Sequence, residues 1–302
     1  MSKVAIAQEK KIEDAIAKVM GCFSLEPLIF DKVVAVKAND TWASAQDKTA
    51  VTQPDSLRAM LRFIKQFHPR ELVVTGGSGA GETEEIFRLA GLMDVVKEEG
   101  ADFFDHNRPP FKEVPLEYAP DKDMQGPQAS VVVNPRVLTY QTLMTLNQLK
   151  VHETATVTLG LKNVAMSFPA ADYYGHPRGS CKHKHDFFTD MHSFIAAMAK
   201  RFPAQFAVTV GHPAMIGMGP IGGHTVETGL ALASNDPVAA DAVGAMLLGF
   251  TPDAVHHIWE AGRLGLGEPD LEKTEFPLLS MEEGFAAFTK AAYHKKLTLE
   301  HA

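Results

Sequence analysis

Residues 71–96 read ELVVTGGSGAGETEEIFRLAGLMDVV, and this stretch decides the fold. Glu71 to Thr75 has the apolar, β-branched composition of a strand, Gly76 to Gly81 is a turn, and Glu82 to Val96 sets Ile86, Leu89 and Met93 on one helical face. A further strand at Ala101 to Phe104 completes a βαβ unit, which calls for a parallel sheet with right-handed crossovers. The segment before it has the same order. Lys32 to Lys37 (KVVAVK) is a strand and Asn39 to Pro54 a polar loop. Asp55 or Ser56 then caps a helix with Leu57, Met60, Leu61 and Ile64 at a 3.6 period.

Working outward, Ile12 to Met20 reads as a short amphipathic helix, and Ser130 to Val133, Ala155 to Leu161 and Phe206 to Val210 as strands. Tyr140 to Leu146 fits a short helix or a strand, and Phe188 to Phe202 has helical spacing. Two more helices follow Asp236 and Thr251, each opened by a proline, Pro237 and Pro252. The expected fold is α/β, a mixed, largely parallel sheet flanked by helices, in a single domain over residues 1–302. A lobe boundary would fall within 107–128, where proline and charge accumulate.

Composition narrows the function classes. The 302 residues are 45% apolar and 22% charged, a balance that excludes disorder and collagen-like repeats. Subtracting 37 acidic from 29 basic residues leaves −8, which offers a nucleic-acid backbone no electrostatic footprint. Only Cys22 and Cys181 occur, so a reducing, cytoplasmic setting without a disulfide framework is expected, and Met1 to Lys11 lacks the apolar core of a secretory signal. Phe202 to Val226 carries no charged residue, yet its three prolines and five glycines argue for a strand and a glycine-rich loop instead of a membrane span.

Four segments carry chemistry. Gly76 to Thr83 (GGSGAGET) follows the phosphate-loop template except that Glu82 stands where the lysine belongs, which makes a nucleoside triphosphatase a poor fit. What remains is a turn in which Gly76, Gly77, Ser78 and Gly79 either hold a single phosphate or carboxylate or simply turn the chain. Lys150 to Asn163 (KVHETATVTLGLKN), if extended throughout, shows Lys150, His152, Thr156, Thr158 and Lys162 on one face, donors and cations suited to an anion, with Asn163 beside them. Gly175 to His192 holds His176, Cys181, His183, His185 and His192. His183 and His185 share one side of an extended chain, either as metal ligands or, with Lys182 and Lys184, as a basic strip. Gly217 to Thr225 (GMGPIGGHT), with Gly219 and Gly222, either contributes amides and His224 to the same pocket or is a turn. Asp236 reads as a helix cap, and Asp241 as a buried partner for a lysine.

Leu146 to Val164, LNQLKVHETATVTLGLKNV, closely resembles the signature of the DUF362 family, α/β proteins of mostly unknown activity. VVAVKAND, MGPIGGHT, SNDPVAADAVGAMLLGF and AGRLGLGEPDLE agree in order, so the resemblance runs from about Val33 to Glu272. Val210 stands where the family commonly has Asp, and Met166 where it has glycine. The ferredoxin-like iron–sulfur module that often accompanies the family is not seen in this sequence, so electron transfer through such a cluster is not carried over.

At the level of the site the chain also resembles nickel-pincer lactate racemases, which place a histidine ten residues before a lysine tethering a pyridinium-derived cofactor. That resemblance implies His152 as a proton-transfer base with a pKa near neutrality, Lys162 as the tether, and His176, His183 or His185 as a nickel ligand. The cofactor would then be a transition metal (nickel, iron or zinc) or a metal-containing nucleotide-derived group. Two functions are expected: an enzyme of racemase or oxidoreductase type acting on a small anionic substrate through Lys150, His152 and Lys162, or a non-catalytic sensor for a phosphate- or carboxylate-bearing ligand. Neither nucleic acid nor membrane is an expected partner, whereas a second copy or a redox protein is compatible with both.

Overall fold

Runs of β-branched and small apolar residues build the spine of a nine-stranded sheet in the computed structural model, which describes residues 1–119, 129–175 and 190–299. From one edge the strands are Ala5–Gln8, Leu230–Ser234, Phe206–Ile216, Thr142–His152, Val33–Ala38, Glu71–Gly76 and Asp102–Asp105. The last five run parallel, and Leu230–Ser234 is antiparallel to both of its neighbours. The sheet is mixed and largely parallel, flanked by helices, as the βαβ pattern predicts. Because both faces are covered, the strands are apolar on both sides. Val34, Val36 and Met144 enter one core with the helices Ile12–Met20, Pro54–Lys65, Thr83–Ala90 and Leu92–Glu98. Ala35 and Leu143 enter the other with Met191–Arg201, Pro237–Leu247 and Met281–Tyr293.

Several boundaries differ from the sequence reading. The helix expected over Glu82 to Val96 is two helices, because Gly91 between them has φ +77°, a left-handed conformation in which glycine alone avoids strain. Of the strand expected over Ala155 to Leu161, only Thr156–Val157 forms. The chain turns after His152, returns as Thr156–Val157 paired antiparallel with Val151 and His152, and enters the helix Gly160–Ala165. Thr156 has φ +64°, and the Asp241 carboxylate accepts the amides of Gly160 and Leu161, which favours a helix start over an extended ladder. Pro252 opens only a 3₁₀ turn, and the α-helix begins at His256. The helix Met281–Tyr293 was not read in the sequence, although Ser280 and Glu283 form a capping box.

Phe206 to Ile216 is an eleven-residue strand, and no helix among the described residues is long and apolar enough to cross a membrane. The feature that positions the site is the order of the central strands. From Val33–Ala38 the chain moves outward through Glu71–Gly76 and Asp102–Asp105, then returns to Thr142–His152 on the opposite side of Val33–Ala38. Loops leaving the carboxyl ends of Val33–Ala38 and Thr142–His152 therefore diverge, and a crevice opens between them.

Candidate active-site cleft

The crevice is a cleft of about 260 Å³ at these strand ends. Asn39, Asp40 and Thr41 line it from the end of Val33–Ala38, and Gly77, Gly79 and Ala80 from the glycine turn. Thr158, Lys162, Asn163, Met166 and Ser167 come from the segment that follows the hairpin, and Pro220 and Ile221 from the Gly217 to Gly223 loop. Three of the segments singled out in the sequence thus converge on one place.

Lys162 is the predicted residue that reaches the cleft with a cation. It is 8% exposed, the third residue of the six-residue helix Gly160–Ala165. Asn163 is also at the cleft, its side-chain amide donating to Asn147 Oδ1 (2.9 Å) and the Lys37 carbonyl (3.3 Å). The hydroxyls of Thr158 and Ser167 are buried, and neither has a hydrogen-bond partner among the described residues. A buried hydroxyl without a partner is costly unless a ligand or water completes it.

Lys150 takes another place. It is fully buried and its Nζ contacts Asn39 Oδ1 (3.1 Å), Thr41 Oγ1 (3.2 Å) and the Ala50 carbonyl (3.1 Å). It stands behind two lining residues and does not line the cleft itself. Burial, and then the charge of Lys162, push its pKa well below that of a free lysine. Lys37, also fully buried, is paired with Asp40 Oδ1 at 2.7 Å.

His152 does not line the cleft either. Its Nδ1 accepts the amides of Thr154 (3.1 Å) and Ala155 (3.2 Å), tying off the turn. Burial first, then Lys162 and Lys150, push its pKa down to about 2. That direction differs from the base near neutrality that the resemblance implies: a cationic, desolvated surrounding favours the neutral imidazole.

The glycine turn differs as well from an open anion cradle. The Gly77 amide donates to Asp40 Oδ2 (2.7 Å), the Ser78 amide to Thr83 Oγ1 (3.1 Å), and the Ala80 amide to Ser78 Oγ (3.3 Å). Gly76 belongs to the sheet, pairing with Asp105. A Cβ at Gly77 would lie 2.1 Å from the Ser167 carbonyl oxygen, so glycine here permits close approach of two backbones. Gly219 is packed similarly, 2.2 Å from the Val151 carbonyl by the same measure, and Gly222 turns the chain at φ +72°.

Asp241 is buried and bonded to backbone amides, not to a lysine. His176, His183 and His185 lie outside the described residues, as does Cys181. Among the described residues no three His, Cys, Asp or Glu side chains are gathered as a metal ligand set. His192, from the same sequence segment, sets its Nδ1 3.0 Å from Nδ1 of the buried His257. Sequence reasoning missed Asn39, Asp40, Thr41 and Ser167. The first three were readable from their place directly after a central strand, whereas Ser167 had no local signal.

The family described as "Domain of unknown function (DUF362)" matches residues 34–246, more than half of the chain. No curated protein matches the sequence. Among solved structures, the crystal structure of a Thermotoga maritima protein, a structural-genomics target, is 14% identical with a TM-score of 0.41. The alignment covers 66% of this chain and 49% of that one, so this chain spans about half the length of that protein.

Proposed function

The chain belongs to the DUF362 family, and from that premise we propose that its cleft binds a small carboxylate- or phosphate-bearing substrate and acts on it, with Lys162 as the catalytic residue. The observation that supports this reading most is the pair of buried hydroxyls, Thr158 and Ser167, without partners among the described residues, beside Lys162, which among those residues is the one lysine that lines the cleft. Two neutral donors and a cation around a small volume match the acceptor oxygens of an anion. Asp40 does not oppose this, because Lys37 and the Gly77 amide occupy both of its oxygens.

In this reading Lys162 draws the anion and stabilises charge that develops on it, inside a cleft where the electrostatic effect of a fixed cation is larger than in water. Lys150 orients Asn39 and Thr41 from behind. Lys162 is the residue that would hold a tethered pyridinium-type cofactor, which would supply a hydride acceptor to the cleft. Its expected histidine ligands fall outside the described residues.

A reversible binder without turnover is the second reading, and His152 favours it. With its imidazole held neutral down to about pH 2, no histidine base serves the cleft from that position. Protein expressed in a cofactor-competent host tests both. Protection of the fold by inorganic phosphate, lactate or acetate in thermal denaturation, lost in Lys162→Met, supports anion binding. A covalent mass increment on Lys162, or turnover of a carboxylate in a substrate panel, supports the enzyme. Reversible protection with neither supports the binder, and no protection in the wild type removes both readings.

A further inference from the structure

The helix that carries Lys162 has six residues, too short to persist by its own hydrogen bonds. Something must fix it, and the structure shows what does. Asp241 Oδ1 accepts the Gly160 amide at 2.8 Å and Oδ2 accepts the Leu161 amide at 2.9 Å. The carboxylate is fully buried in a helix of alanine, valine and glycine, and among the described residues no lysine or arginine bridges it. A lone carboxyl in such a place is expensive, and burial raises its pKa to about 7 despite the two amides. Packing alone would be served better by another alanine.

The same turn is also closely packed. A Cβ at Gly160 would lie 3.1 Å from both Asp241 Oδ1 and Asn147 Nδ2, so the turn is held between the sheet and the Pro237–Leu247 helix. We propose that Asp241 is a positioning residue of the cleft, its carboxylate clamping the first helical turn and so setting where Lys162 meets the anion; the assignment rests on the anion reading of the cleft given above. An asparagine at 241 keeps the shape but turns a donor toward an amide, so one anchor is lost.

Competitive acetylation of the folded protein, read lysine by lysine by mass spectrometry, tests this. In Asp241→Asn, Lys162 is expected to label about fivefold faster, the loss of one capping interaction, while Lys97 and Lys290 keep their rates. Asp236→Ala, which removes the side-chain cap of the Pro237–Leu247 helix and makes no hydrogen bond to the Lys162 turn, serves as the control and leaves Lys162 labelling unchanged. Equal acceleration in both variants, or unchanged labelling in folded Asp241→Asn, overturns the proposal. Should Asp241→Asn fail to fold, Gly160→Ala displaces the same turn by crowding the Asp241 and Asn147 side chains and is expected to give the same acceleration; failure of both to fold makes Asp241 a core residue and also overturns it. Protection of wild-type Lys162 by millimolar inorganic phosphate is read in parallel. Its absence would remove the anion reading and leave the positioning result standing.

Discussion

The Gly76 to Gly81 turn and the Thr156 to Asn163 segment face each other across one cleft, and they have opposite chemistry. The turn has the sequence of an anion cradle, yet the amides of Gly77, Ser78 and Ala80 are already bonded within the protein. The facing segment has no phosphate motif, yet it presents Lys162 together with a buried hydroxyl that lacks a partner. A glycine-rich loop signals close backbone approach, and only its hydrogen-bond accounting shows whether a ligand can use its amides. In the proposed reading the turn is scaffold and the facing segment is the reacting surface.

The largest effects should therefore come from the scaffold. Asp40 joins the turn to the sheet, accepting from Lys37 on one oxygen and from Gly77 on the other. Asp40→Asn leaves a fully buried lysine without its carboxylate, and a loss of about 3–5 kcal/mol is expected in urea unfolding. Near-wild-type stability would dissolve the contrast between the two regions. Gly77→Ala sharpens it with a smaller effect. Its Cβ meets the Ser167 carbonyl oxygen first, a backbone atom that cannot swing aside, so overpacking of about 1–3 kcal/mol should appear as a lower denaturation midpoint.

These particulars also show how far the sequence could be read. β-branched composition and turn residues made the parallel core legible, because the short apolar runs Val33 to Val36 and Leu72 to Val74 fit strands buried on both faces. The order of strands, and with it the cleft, follows from the Val33 to Asp40 and Leu146 to Val164 motifs meeting at a switch point. The hairpin after His152 was illegible for a physical reason. TATVTLGLK alternates well enough for a strand, and what breaks it is a carboxylate about 80 residues away. Likewise Ser167 gained its place only when Gly77 packed against it, a contact across 90 residues of chain. Non-local capping and close backbone approach leave no periodicity to read.

His152 tests the facing segment from its other end. Its folded pKa is depressed to about 2 against an ordinary value of 6.5, so the unfolded chain binds the additional proton as pH falls. The sign is fixed: the stabilisation is complete above pH 6.5 and is lost as pH drops below it. The slope is ~1.4 kcal/mol per pH unit at most for one proton, or about 2 kcal/mol down to about pH 5. A His152→Asn variant should show a correspondingly shallower acid limb. The direct check is the His152 ring resonance, which should not titrate between about pH 5 and pH 8. Titration near 6.5 would return His152 to the role of a proton-transfer base and strengthen the enzyme over the binder.

The smallest stability effect is expected where the functional effect is greatest. Thr158 and Ser167 are 3% and 2% exposed, and their hydroxyl oxygens have no partners among the described residues. Thr158→Val and Ser167→Ala therefore remove a polar group that folding gains nothing from, and each should leave stability within about 1 kcal/mol of wild type or raise it. If the hydroxyls instead serve an anion, the same variants should each weaken protection by inorganic phosphate or lactate by about tenfold, since a lost hydrogen bond to a charged acceptor is worth ~1.5 kcal/mol. The two readouts must separate for the contrast to hold. Loss of stability together with binding would mean that the hydroxyls hold the fold, and the facing segment would then be scaffold like the glycine turn.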